Sequence, residues 1–191
     1  MRTMPGQRLT LDEYIALEEL SEIKHEFFEG TVSEMTDFSL AHNLIAVNVI
    51  GILHPQLRGK SCRMYSSNQR FKVEATGLFT YPDASVVCGP AQFADAPKHT
   101  MTNPTVIIEI LSPSTEGYDR EKKFRHYRKI GSLRAYLLIA QDSMHVELYT
   151  RQEQNRWLLV EFTEKEAMVP LDVIGCTMDV KDIYEDVEFD G

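Results

Sequence analysis

The segment Thr105–Leu111, TVIIEIL, is a run of β-branched and aliphatic residues with one interruption, and it reads as a strand buried in the body of the protein. The interruption is Glu109, whose charge is costly to bury without a partner. Two explanations stand open. Either the strand delivers Glu109 to solvent at its end, or it carries the carboxylate to a cation.

Around this strand the chain alternates helical and extended patterns irregularly. TLDEYIALEEL begins with Thr10 and has Glu13 three residues on, a capping-box spacing that starts a helix. KHEFFEGTVSEM reads as a strand pair turning at Glu29-Gly30, and SLAHNLIAVNVIGILHPQL as an apolar helix capped by Ser39 and ending near Pro55. Strands follow at Cys62–Ser66 and Gln69–Glu74, then in YPDASVVCG and TVIIEIL, with a polar loop, 90–103, between the last two. DREKKFRHYRKIG is a basic helix for which Gly131 suits the C-terminal cap. RAYLLIA, HVELYT, RWLLVEF and MVPLDVIG complete the chain as strands with short turns. The fold class expected is α/β, a mixed sheet with helices on both faces.

With 191 residues, 43% hydrophobic and 26% charged, and no repeat or Gly/Ser linker, the chain reads as one domain, 1–191, long enough for a substantial core. Cys62, Cys88 and Cys176 form no CxxC pair, so neither a disulfide framework nor a cysteine zinc site is expected, and a reducing cytoplasm fits best. No apolar run reaches the ~20 residues of a membrane span. The net charge of −9 argues against indiscriminate binding of polyanions, so any nucleic-acid function must rest on local basic groups and metal ions.

One constellation has chemical content. Asp83, after Tyr81-Pro82, opens one strand and Glu109 sits in another; side by side, the two carboxylates would repel unless a hard cation such as Mg²⁺ or Mn²⁺ lay between them. On the basic helix Asp119, Lys123 and Tyr127 recur every four residues and share a face, from which Lys123 can point back at the acids. Two carboxylates, a divalent ion and a lysine suit phosphodiester hydrolysis. Taken singly, each residue has a plainer explanation: Pro-Asp is ordinary turn chemistry, Glu109 can serve an ion pair, and Lys123 can belong to a solvated basic face. His42, in the first turn of its helix, reads by default as a core-edge or capping histidine, and the other histidines lack zinc-ligand spacing. Ser112 and Ser114 have no GxSxG elbow around them and read as a turn and helix cap.

The ordered set KHEFFEG, AHN, YPDASVVCG, NPTVIIEILSPST, YDREKKFRHYRKIGSLRAYLLI and VELYTR resembles the Uma-two family of restriction-endonuclease-like proteins, within the PD-(D/E)XK nuclease superfamily. The resemblance runs from about Thr10 to Ile174. It implies a restriction-endonuclease-like fold and a Mg²⁺- or Mn²⁺-dependent endonuclease. Asp83 and Glu109 would be the metal ligands, Lys123 the catalytic lysine, and Glu26 the residue completing the site, with Glu29 close by as an alternative. In the superfamily the lysine lies two residues after the Glu, where this chain has Leu111, so activity depends on Lys123 taking its place in space; Lys122 competes for the role, and alignment on Asp119 and Tyr127 favours Lys123. DNA is the substrate expected, and a homodimer paired through the C-terminal strands would allow cutting of both strands. A catalytically silent nuclease-fold module that binds nucleic acid or protein is the competing expectation.

Overall fold

The computed structural model describes residues 2–3, 8–35 and 39–189. Its strands are β1 (Arg2–Thr3), β2 (His25–Phe28), β3 (Thr31–Glu34), β4 (Cys62–Ser66), β5 (Arg70–Val73), β6 (Leu78–Thr80), β7 (Ala84–Cys88), β8 (Thr100–Met101), β9 (Val106–Leu111), β10 (Ala135–Ala140), β11 (Val146–Arg151), β12 (Trp157–Phe162), β13 (Met168–Leu171) and β14 (Cys176–Asp179). The helices are α1 (Leu11–Leu20), α2 (Leu40–Gln56), α3 (Glu116–Tyr118), α4 (Phe124–Tyr127) and α5 (Val180–Ile183), with a π-helical turn, Asp119–Lys123, joining α3 to α4.

The central sheet has the order β12-β11-β10-β9-β7-β4. It is mixed: β9 and β10 run parallel, and the other neighbours pair antiparallel. One face is covered by α2, whose Ile45, Val49 and Leu53 pack with Val86, Ile108 and Leu137. Each of these fully buried aliphatic side chains contributes about 1.5–3 kcal/mol relative to exposure. The other face receives Tyr127 and Ile130, which pack with Ile107 and Leu138 and with Val73 and Leu78 of a second sheet, ordered β1-β3-β2-β6-β5-β8. Alternation along β9 therefore assigns Ile108 and Ile110 to the α2 side, and Ile107, Glu109 and Leu111 to the side beneath α3 and α4.

The local signals in the first third of the chain are realised. Thr10 caps α1 in a full capping box with Glu13, and Ser39 caps α2 through the His42 amide. Glu29 and Gly30 turn β2 into β3 with φ of 48° and 82°, the left-handed pair of a two-residue hairpin.

Two expectations are corrected. The basic helix starts at Glu116 and ends at Tyr127, and Gly131 does not cap it: after Arg128 the backbone closes successive short turns that drive Ile130 and Leu133 into the core. Cys62 and Cys88, expected to stand alone, are disulfide-bonded. They are direct cross-strand partners in the β4–β7 ladder, with Cα atoms 3.9 Å apart, and a register between strands 26 residues apart leaves no trace in cysteine spacing. Among the described residues no helix is long and apolar enough to cross a membrane.

Candidate active site

Asp83 is placed by the β7–β9 ladder. The register pairs Ser85 with Ile107 and Ala84 with Ile108, and one step further it sets Asp83 against Glu109. Asp83 immediately precedes β7 at the end of this ladder, and its carboxylate and that of Glu109 line the same cleft. Asp83 is fixed at both oxygens: Oδ2 accepts the Ile110 amide at 2.7 Å, and Oδ1 lies 3.0 Å from His42 Nε2. His42 thus caps a carboxylate across the cleft rather than serving only its own helix.

Glu109 is buried, and Oε1 takes two partners, Lys123 Nζ at 2.9 Å and the Tyr127 hydroxyl at 2.7 Å. Oε2 has no donor among the described residues. Burial pushes the Glu109 carboxyl up to about 8, against the opposing pull of Lys123, and Asp119 and Asp83 add to the rise. Lys123 is itself only 4% exposed and also lies 3.4 Å from Asp119 Oδ1. Burial works against its ammonium, but Glu109, Asp119 and Glu26 together outweigh it and hold the Lys123 pKa well above lysine's ordinary value. Lys123 is therefore a buried cation among carboxylates, not a member of a solvated face; the exposed neighbour on that helix is Lys122.

The π-helical turn explains how Asp119, Lys123 and Tyr127 stay aligned. Four α-helical residues overshoot a full turn by about 40°. A wider turn between Asp119 and Lys123 offsets that drift, so Lys123 and Tyr127 both reach Glu109 while Asp119 stays against Lys123; such π-bulges recur at functional sites.

Glu26 lies behind this group in β2. Its Oε2 accepts the Thr80 hydroxyl at 2.8 Å and its Oε1 accepts the Tyr118 hydroxyl. Burial raises its pKa, with Lys123, Tyr118 and Thr80 opposing. Glu29, in the hairpin turn, is exposed, so Glu26 and not Glu29 is the acid brought to the cluster.

Asp83, Glu109, Asp119 and Lys123 line one cleft of about 420 Å³, together with His42, Tyr118 and the first turn of α2. Tyr118 stands between that cleft and Glu26, which does not line it. Among the described residues no three His, Cys, Asp or Glu side chains gather as a ready metal cluster.

With this geometry in place, the comparison with known proteins is direct. A family model, Uma2, described as "Putative restriction endonuclease", matches residues 11–181. The chain belongs to the Uma2 family. Two relatives from Synechocystis sp. (strain ATCC 27184 / PCC 6803 / Kazusa) are similar to it. "Uncharacterized protein slr1290" is 32% identical over 185 residues, 97% of this chain and 96% of that protein. "Uncharacterized protein sll1609" is 32% identical over 161 residues, 84% and 91% of the respective chains. A crystal structure titled as a putative nuclease belonging to DUF820, from Anabaena variabilis ATCC 29413, superposes with a TM-score of 0.75 at 23% identity, covering 92% of this chain and 97% of that one, which establishes the shared fold. Membership in Uma2 carries a nuclease-like role.

Read as a Uma2 protein, the chain brings Asp83, Glu109 and Lys123 into one cleft and places Glu26 immediately behind them. Sequence reasoning missed Tyr118 and Thr80, which hold Glu26, and it undervalued His42. Tyr118 and Glu26 are 92 residues apart, and nothing local to either announces the pairing.

Proposed function

We propose that this chain is a metal-dependent endonuclease that hydrolyses phosphodiester bonds in DNA with Mg²⁺ or Mn²⁺. The observation that carries the reading is the seating of Lys123 between Glu109 and Asp119 in a cleft that Asp83 also lines. The donor set suits a hard cation: two oxygen ligands on neighbouring strands, one of them, Glu109 Oε2, without a donor. Mg²⁺ is commonly held by one or two carboxylates, with waters and substrate phosphate completing its shell, so no third protein ligand is required. Bound there, the ion would supply charge against the phosphate and acidify a water.

Asp83 and Glu109 would hold the ion, and the Ile110 amide and His42 keep Asp83 in the required rotamer. Lys123, kept protonated by the surrounding carboxylates, donates to the attacking water or to the charge that grows on phosphorus oxygens. Asp119 and Tyr127 fix the lysine and Glu109, so neither has to reorganise during the reaction. Cutting both strands of a duplex calls for two such clefts, and the exposed edge strand β12 offers a pairing surface for a homodimer. A cytoplasmic location belongs to the same reading, and it no longer draws on unpaired cysteines, since Cys62 and Cys88 are bonded.

The test is supercoiled plasmid with each metal and with chelator. Metal-dependent nicking by the wild type, lost in Asp83→Ala and Glu109→Gln, supports the assignment. Absence of nicking by folded wild type with either metal would favour a binding scaffold that retains the nuclease fold.

A further inference from the structure

The cleft has a second ammonium group that the hydrolytic set does not use. Among the residues lining it, Lys24 and Lys123 are the two Lys or Arg side chains, set against the carboxylates of Asp83, Glu109 and Asp119. Lys123 is committed to Glu109 and Asp119 at 2.9 and 3.4 Å. Lys24 has no carboxylate within ion-pairing distance among the described residues; its Nζ instead donates to the Ser67 hydroxyl at 3.2 Å. Its ammonium lies 6.0 Å from the centre of the Tyr81 ring, so Tyr81 supports the side chain while the charge stays at the cleft wall.

The position is held from two directions. Lys24 immediately precedes β2, and its carbonyl accepts the Met35 amide in the hairpin, while Ser67 sits in the turn between β4 and β5 of the two sheets. Both side chains are partly exposed, as a group that must meet substrate has to be. The first turn of α2 lines the same cleft through Ser39, Leu40, His42 and Asn43, and its helix dipole favours negative charge there. A polyanion entering this acidic cleft needs a cation that is not locked in a contact ion pair; Asp83 and Glu18 act on Lys24 only at longer range, and its direct partner, a neutral hydroxyl, exchanges for a phosphate oxygen at little cost.

We propose that Lys24, with Ser67, holds a non-scissile phosphate of the DNA strand and so sets its register over Asp83, Glu109 and Lys123. This rests on the endonuclease reading. Lys24 makes no contact with the scissile bond and acts as a phosphate anchor.

The test measures binding of a fluorescent DNA duplex with Ca²⁺ replacing Mg²⁺, over a series of salt concentrations, alongside nicking kinetics with Mg²⁺. Lys24→Gln should raise Kd about 5–10-fold and reduce the slope of log K against log salt by about 1, with the kinetic loss falling on KM more than on kcat. Lys24→Arg should recover most of the affinity, and Ser67→Ala should give a smaller loss without a change in slope. Unchanged Kd and slope in folded Lys24→Gln, beside a wild type that cuts, would overturn the anchor and leave the endonuclease standing. Lys24-dependent binding by a wild type that does not cut would uphold the anchor and remove the hydrolysis. Failure of the wild type to bind DNA at all would overturn both.

Discussion

Lys123 Nζ lies 2.9 Å from Glu109 Oε1 with both side chains about 5% exposed or less, so the chain buries an ion pair at the floor of a cleft. Removing one partner of such a pair leaves the other charge uncompensated, which typically costs about 3–5 kcal/mol unless the remaining group neutralises. Glu109 can neutralise, because its carboxyl already titrates near 8. Lys123→Met should therefore fold with a Tm lower by ~5–10 °C and lose plasmid nicking by ~10²-fold or more. Lys122→Ala, at the exposed neighbouring position, should stay within about 1 °C of wild type and keep most activity. Thermal melts and nicking rates on the pair check this; equal losses in both would mean that the helix supplies only general positive charge.

Stability should depend on pH through Glu109. A carboxyl raised from 4.5 to about 8 in the folded state binds its proton more tightly folded than unfolded. Its contribution is full below the lower value and is lost as pH rises through the upper one, so metal-free protein becomes less stable across that interval. Glu26 and Asp119, raised by burial, act in the same direction. The Tm of metal-free wild type should fall by roughly 5 °C or more between about pH 5 and pH 8, and Glu109→Gln should flatten that slope. A slope identical in the two proteins would remove Glu109 as its source.

The elements legible in the sequence are those whose cause is local. Thr10 and Glu13 cap α1 from three residues apart, and Glu29-Gly30 turns a hairpin by its own backbone preference. β9 was legible because both its faces are apolar, and Glu109 stood out because one was interrupted. What was not legible depends on register or distance. β6 is three residues long, too short for alternation to show, and yet its Thr80 holds Glu26. The shared face of Asp119, Lys123 and Tyr127 pointed Lys123 at the acids, but its depth of burial beside the exposed Lys122 and Arg125 depends on the approach of β9, which helix spacing does not encode. The Cys62–Cys88 bond follows from the β4–β7 register, which no residue in either strand encodes alone.

Metal binding should be visible as stabilisation. Mg²⁺ or Mn²⁺ bound by Asp83 and Glu109 would compete with the proton on Glu109 and relieve the repulsion that Asp83 exerts on it. At 100 times its Kd a ligand adds about 2.7 kcal/mol, or ~5–10 °C in Tm for a chain of this length, and chelator should reverse it. Asp83→Ala should abolish the shift. A full shift in that variant, followed by scanning fluorimetry at neutral pH, would place the ion elsewhere.

The edge strand β12 should mediate self-association. Among the described residues it pairs only with β11, at the edge of the sheet, and Leu158, Leu159 and Val160 are 53%, 42% and 42% exposed. A two-fold axis normal to the sheet pairs residues of like orientation. Leu159 would meet its own copy on one face, and Leu158 would meet Val160 on the other, extending the central sheet through both subunits. Charge at such a position opposes pairing of edges. Light scattering at micromolar concentration should therefore report a dimer for the wild type and a monomer for Val160→Lys, with little change in monomer folding because Val160 is exposed. A monomeric wild type, or a variant that remains dimeric, would exclude β12 as the interface and require the second cleft for double-strand cutting to arrive by another surface.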